Sequence, residues 1–335
     1  MKLICAPMAT LSHPAFRMLI ERFGGCDEYY TEMINAPTLL CGGQFEKYYL
    51  EPAPAPEKII WQLTGKNASS IIKASTLICN LPGIGIDLNM GCCAPDIVKS
   101  GAGISWMVSK PTEETRELVK GVKEELSRYE STSGIHKRLS AKIRLGDEKW
   151  SEESLFSFCD MLCENGVERI TIHPRTQKEK YRDKPRHEYG QILAERYKSS
   201  GVKIVINGDI DSAQKAQKIS EICSSCEGMM IGRAAVQKPW IFSLIKQHFE
   251  GSQSITKPTD LLELALDFVD NVAKYQPPEF WKTRLQRFFT YYCDNLSFAH
   301  FAKTNLLNYK SIEDTKEKLH EYFEKVPGDQ IKCLK

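Results

Sequence analysis

The chain has 335 residues, 42% hydrophobic and 26% charged, enough for one large soluble domain and a smaller one. Its 45 Lys and Arg against 43 Asp and Glu leave a formal charge of +2, which excludes a global nucleic-acid footprint but leaves room for a local basic face. No apolar run approaches the ~18 residues of a bilayer span, and Met1–Pro7 is too short for a signal peptide, so a cytoplasmic protein without a membrane partner is expected.

In chain order, eight short apolar runs end in Gly, Asn, Pro or Asp: Leu3–Pro7, Glu28–Glu32, Ile59–Leu63, Gly85–Asn89, Ser140–Leu145, Arg169–His173, Lys203–Asn207 and Gly228–Ile231. Amphipathic stretches of helical length separate most of them, among them Glu113–Arg128, Glu152–Asn165 and Ser212–Cys223. Strands alternating with helices imply a parallel sheet, and eight repeats argue for closure into a (β/α)8 TIM barrel over residues 1–250. The alternative is a doubly wound open sheet, against which stands the lack of a G-x-G-x-x-G after the first strand. Gly251–Pro258 reads as a linker. From Asp260 the apolar spacing is purely helical, through Leu261, Leu264, Ala265, Phe268 and Val269, then Leu285, Phe288, Phe289 and Tyr292. A C-terminal all-α domain of three or four helices over 255–330 is expected, with Pro277-Pro278 breaking its first two helices.

Twelve cysteines raise the question of disulfides. In a cytosolic chain they are expected as reduced thiols, mostly small buried hydrophobes. Cys223-Ser224-Ser225-Cys226 is a lone C-x-x-C with no second pair at metal-site spacing, and Cys159 and Cys163 stand at packing distance on one helix face. No metal is expected.

Polar clusters follow the strand-like runs: Gly91-Cys92-Cys93, Lys142-Ile143-Arg144-Leu145-Gly146, His173-Pro174-Arg175-Thr176, Asn207-Gly208-Asp209 and Gly232-Arg233. In a TIM barrel such residues gather at the C-terminal face, where the active site is built. Together with Ala6-Pro7-Met8-Ala9, Phe16-Arg17, Thr31-Glu32-Met33, Gln62-Leu63-x-Gly65, Asp87-Leu88-Asn89-x-Gly91-Cys92 and Pro239-Trp240, these motifs in this order resemble the dihydrouridine synthase family, flavoenzymes that reduce uridines in transfer RNA. The resemblance covers essentially the whole chain.

The resemblance implies FMN as cofactor, NADPH as reductant and tRNA as partner. It assigns Pro7, Met8, Ala9, Gln62, Lys142 and His173 to the flavin. Loops after strands seven and eight are where this fold binds a phosphate, which places Asn207, Gly208, Asp209, Gly232 and Arg233 there, Arg233 adding a charged fork. Lys142 is expected to stabilise the anionic reduced ring. Hydride addition at C6 of uracil leaves C5 to be protonated, and Cys92 is expected to be that acid, with an unlowered pKa. Asn89 and Arg175 are implied as readers of the uracil edge after extrusion of the base. In the tail, Lys282, Arg284 and Arg287 beside Phe288, Phe289, Tyr291 and Tyr292, with Lys303 and Lys310 beyond, suit contacts to RNA; the aromatics read better as core.

Three positions depart from the family pattern. Cys93 stands where proline usually follows the catalytic cysteine, so a shifted loop could offer Cys93 instead of Cys92. Pro174 replaces a small residue, and Leu11-Ser12-His13 replaces an aspartate-containing turn. Two other functions stay open on sequence: a flavin-dependent reductase of a small enone or pyrimidine, and a non-catalytic RNA-binding protein on the same scaffold. A monomer is the simplest expectation.

Overall fold

The structure is a computed structural model that describes residues 1–251 and 258–334. The apolar runs form strands because their alternate residues have somewhere dry to go. On β4 (Gly85–Met90), β5 (Arg138–Gly146) and β6 (Arg169–Thr176), the set Ile86, Leu88, Leu139, Ala141, Ile143, Ile170 and Ile172 packs against the surrounding helices. The interleaved set turns to the barrel axis and is polar.

Closure is complete. β1 (Lys2–Cys5) pairs in parallel with β2 (Glu28–Tyr30) and with β8 (Gly228–Ile231). β2 joins β3 (Ile59–Thr64), and the parallel ladder continues through β4, β5, β6 and β7 (Lys203–Asn207) to β8. The eight-stranded closed barrel is thus the fold, and the open-sheet alternative falls. The second apolar run is shorter as a strand than expected, ending at Tyr30, and beyond it a separate Ile34–Asn35 segment pairs with the end of β3.

The interior divides by strand. Ile4, Tyr30, Ile60, Val205 and Met230 form a small apolar cluster on one side of the axis. Asp87, Ser140, Thr171 and their neighbours line the other side. At the N-terminal end Glu28 accepts from Arg138 Nη2 at 2.8 Å, from Lys2 Nζ at 3.0 Å and from both Nη atoms of Arg169, while Arg169 Nε also donates to Glu227 at 2.7 Å. Burial pushes the Glu28 carboxyl up, yet the Arg169, Arg138 and Lys2 partners pull it down to about 2.

Beyond the barrel come helices Leu261–Tyr275, Pro278–Tyr292, Ala299–Leu306 and Ile312–Lys325, with the Pro277-Pro278 break where the sequence puts it. The tail is not purely helical: Pro258–Asp260 and Ile331–Cys333 pair as an antiparallel ribbon that ties its two ends together. Most of the expected linker lies outside the described residues. Phe288, Phe289 and Tyr292 are core, with Phe288 stacked 3.8 Å from Phe268. All twelve cysteines are free thiols, and no described helix is long and apolar enough to cross a membrane.

Candidate active site

Strand parity builds the mouth. Because residues two apart share a face, Gln62, Asp87, Asn89, Ser140, Lys142, Thr171 and His173 all face the axis, and register sets Gln62 beside Asp87 and Ser140, and Asn89 beside Lys142 and Thr171. Arg144 and Arg175 continue the same faces one step higher.

Lys142 makes no hydrogen bond or ion pair among the described residues, although it is partly buried. Burial, then the Arg144 charge, pulls its ammonium from 10.5 to about 8. Burial, then Lys142, Arg144, Arg175 and Arg233, pushes the His173 imidazole far down, so the ring is neutral. Its Nε2 faces Arg175 Nη1 at 3.1 Å. A guanidinium only donates, so Nε2 accepts and the ring proton belongs on Nδ1.

Arg175 is buried and bidentate to Asp209 at 3.1 and 2.5 Å, and Arg233 donates to the same carboxylate at 3.0 Å. Asp209 has φ +50°, a conformation that Asp tolerates better than most residues. Asn207 Nδ2 donates to the Met230 carbonyl at 2.7 Å and bridges the ends of β7 and β8. The Gly208 carbonyl accepts from His187 Nε2 at 2.9 Å. Gly232 lies open toward Ala6 and the Met8 sulfur, each 3.5 Å from where a Cβ would stand. The mouth thus holds Lys142, Arg144, Arg175 and Arg233, with the Asp209 carboxylate bonded to the last two. That excess of cations, one of them unpaired, fits an anionic ring and phosphate.

Cys92 is pinned on both sides. Its N–H donates to Asn89 Oδ1 at 3.0 Å, and its carbonyl accepts from Ile104 N at 3.0 Å. Gly103, with φ +62°, permits that second contact, since a Cβ there would stand 2.5 Å from the Cys92 oxygen. Gly91 is needed as well: a Cβ would stand 3.0 Å from the Ile143 backbone. Burial pushes the Cys92 thiol up despite Lys142 and Arg144, so it stays protonated at neutral pH. Cys93 is also half-buried but makes no hydrogen bond among the described residues. Of the two thiols, Cys92 is the fixed one.

Pro7, Met8 and Ala9 flank the mouth on the loop after β1. Ser12 Oγ donates to the Ala6 carbonyl at 2.8 Å and accepts from Met8 N at 2.9 Å, which braces this turn without the aspartate found in the family pattern. Arg17 holds the same turn through the Ser12 carbonyl at 2.9 Å and reaches Ala53 O and Glu51 O.

One expected RNA contact is corrected. Arg284 is 1% exposed and lies in the seam between tail and barrel, donating to Glu32 Oε1 at 3.0 Å and Gln276 Oε1 at 2.6 Å. Glu32 accepts in turn from Thr10 N at 2.5 Å. Its interleaving with aromatics is therefore a packing signal. Lys282 and Arg287 are exposed, Arg287 resting 5.7 Å from the Tyr291 ring. Lys310 is exposed and Lys303 pairs with Asp294 at 2.6 Å.

Sequence reasoning missed three site residues. Arg144 donates to the Gly91 carbonyl at 3.1 Å and to Thr176 O and Lys180 O at 3.1 and 3.3 Å, cross-linking the cysteine turn to the loop after β6. Tyr181, 56% exposed, stands on that loop 4.3 Å from the Arg233 guanidinium and 5.9 Å from the His173 ring. Asp87 lies beneath the mouth. For Arg144 and Asp87 the available signal was alternation, since each lies two residues from a residue assigned to the site.

A closed parallel barrel with a cation-rich mouth and a fixed thiol defines a barrel enzyme that binds an anionic cofactor or substrate. A model of the family described as Dihydrouridine synthase (Dus) matches residues 4–327, and the chain belongs to that family, one of flavin-dependent oxidoreductases. A probable tRNA-dihydrouridine synthase of Aquifex aeolicus is 35% identical over 73% of this chain and 73% of its own length. The tRNA-dihydrouridine(16) synthase of Neisseria meningitidis is 30% identical over 79% of this chain and 76% of its own. A human tRNA-dihydrouridine(20a/20b) synthase [NAD(P)+]-like protein is 28% identical over 72% and 70%. Among solved structures, a 2-naphthoyl-CoA reductase complex aligns with TM-score 0.51 at 13% identity, over 75% of this chain and 50% of that one, a likeness of fold alone.

Proposed function

We propose that this protein is an FMN-dependent tRNA-dihydrouridine synthase, its flavin re-reduced by NADPH, working as a cytoplasmic monomer on uridines of folded tRNA. The observation that carries the reading is a thiol kept protonated and fixed in the same mouth as a cradle in which cations outnumber carboxylates. When bound, the flavin supplies hydride to C6 of the uracil. Lys142 provides the positive charge that offsets the anionic ring. Arg233, with the Asn207–Asp209 turn and Gly232, holds the phosphate; Met8, Ala9 and Pro7 flank the ring, and Gln62 and His173 complete its cradle.

Cys92 then protonates C5. The Sγ–H bond breaks as the C–H bond forms, and the thiolate recovers its proton from solvent. Asn89 keeps one amide proton and one lone pair for the base edge, and Arg175 reaches it by yielding a bond to Asp209. The uridine must leave its stack to enter, at a cost of about a few kcal/mol offset by contacts in the mouth. The tail, residues 255–330, serves as an RNA-binding helical domain in which Lys282 and Arg287 meet phosphates.

Dihydrouridine mapped in the RNA of the parent strain and of a strain lacking this gene tests the reading. Loss at one or more tRNA positions, restored by the gene, is expected. Unchanged tRNA from a strain whose purified protein is yellow with flavin overturns it in favour of a small-molecule reductase.

A further inference from the structure

Four side chains form a single line of hydrogen bonds across the floor of the mouth. Ser140 Oγ donates to Asp87 Oδ1 at 2.7 Å, and Gln62 Nε2 donates to Asp87 Oδ2 at 2.8 Å. Asn89 Nδ2 donates to Gln62 Oε1 at 2.9 Å, and the line ends where the Cys92 N–H donates to Asn89 Oδ1 at 3.0 Å. Asp87, Gln62 and Ser140 are fully buried and Asn89 nearly so.

The ends of this line fix its direction. A backbone N–H can only donate, so Asn89 must turn its carbonyl to Cys92 and its amide nitrogen to Gln62. Gln62 must then offer its carbonyl to Asn89 and its amide nitrogen to position 87. Position 87 must accept, and an ionised carboxylate does nothing else. Reversing either amide breaks two bonds together, setting donor against donor and acceptor against acceptor.

We propose that Asp87 is a positioning residue, whose carboxylate acts through Gln62 and Asn89 to fix the Gly91–Cys92 turn and so the place of the Cys92 thiol. Asp87 does not touch Cys92; two amides stand between them. Filling this position with a buried carboxylate is costly compared with an apolar side chain, and the return is an obligate acceptor at the start of the line. The importance of the thiol rests on the function proposed above; the mechanical claim does not.

Polarity gives a test that a merely structural role does not pass. Gln62→Glu sets two acid groups against each other between positions 62 and 87. Adding Asp87→Asn rebuilds every link and reverses only the one between 62 and 87: Asn at 87 still accepts from Ser140 and now donates to Glu at 62, which still accepts from Asn89, which still accepts from Cys92. Asn89→Ala removes only the last link and leaves the buried pair intact, which guards against a Gln62→Glu chain that does not fold. The readout is hydrogen exchange at the Cys92 amide and the iodoacetamide alkylation rate of Cys92, both in flavin-free protein and resolved by peptide mass.

Exchange at Cys92 is expected to rise about tenfold in Gln62→Glu and in Asn89→Ala, with exchange in helix Ile241–Phe249 unchanged, and to return to within about twofold of the parent in the double variant. Alkylation should follow the same order. Parental exchange in Asn89→Ala, or a double variant as fast as Gln62→Glu alone, overturns the proposal. Neither readout needs flavin or tRNA, so a failed dihydrouridine assay is distinguishable from a failed line.

Discussion

At the N-terminal end of the barrel Glu28 gathers Lys2, Arg138 and Arg169, and Arg169 reaches Glu227 as well. At the C-terminal end Lys142 has no partner among the described residues, Arg144 spends its donors on backbone carbonyls, and Arg175 and Arg233 share Asp209. The same strands, with the same inward alternation, close one end with each named cation paired to a carboxylate and leave cations in larger excess at the other. Charge at the first end serves the fold; charge at the second is held at a cost to it.

The sharpest way to break this contrast is to remove one charge from each end. Glu28→Gln leaves the Arg169 guanidinium, fully buried, short of its main counter-charge, and is expected to cost about 3–5 kcal/mol in urea unfolding, with unchanged flavin affinity for the molecules that fold. A variant as stable as the parent would mean that the Glu28 cluster contributes nothing.

Arg284→Met extends the comparison to the seam with the tail. It leaves the buried Glu32 carboxylate without its ion pair and is expected to cost about 3 kcal/mol, without change in the salt dependence of RNA binding.

Lys142→Met should have the opposite sign. Folding forces the ammonium from 10.5 to about 8, so the unfolded chain holds the proton more tightly between those values. The parent therefore gains stability from this group as pH rises from about 8 to 10.5, and the variant lacks that gain. Below about pH 8 flavin-free Lys142→Met is expected to be more stable than the parent by about 1–2 kcal/mol, while binding flavin about tenfold more weakly. Thermal unfolding across pH and a flavin fluorescence titration check both halves.

The smallest effect is expected at Arg287, which is exposed. Arg287→Ala should leave stability within about 0.5 kcal/mol of the parent and lower the salt slope of tRNA binding by about one. An unaltered slope would remove this face of helix Pro278–Tyr292 from the RNA interface.

Much of this was legible in the sequence because parallel strands write their burial plainly. The apolar runs gave all eight barrel strands, and the polar residues that end them meet in one mouth. The sequence could not say which of the basic residues near aromatics were free. Arg284 and Arg287 stand three apart on one helix, yet one faces the seam and the other solvent, and only the packing partner Glu32 decides between them. Nor did local sequence reveal the line from Ser140 to Cys92, because three strands must be in register before its members touch. The ribbon closing the tail was invisible for a similar reason: Pro258–Asp260 and Ile331–Cys333 are too short to carry a strand pattern and gain one only by pairing.

The central claim is that the C-terminal mouth is the reaction site and that Cys92, rather than Cys93, delivers the proton. Purified Cys92→Ala and Cys93→Ala proteins, reconstituted with FMN and reduced by NADPH, can be mixed with tRNA lacking dihydrouridine and the product counted per turnover. Cys92→Ala is expected to bind and reduce flavin normally yet form almost no dihydrouridine, while Cys93→Ala keeps most of the parent rate. Full turnover by Cys92→Ala, or loss confined to Cys93→Ala, would contradict the account.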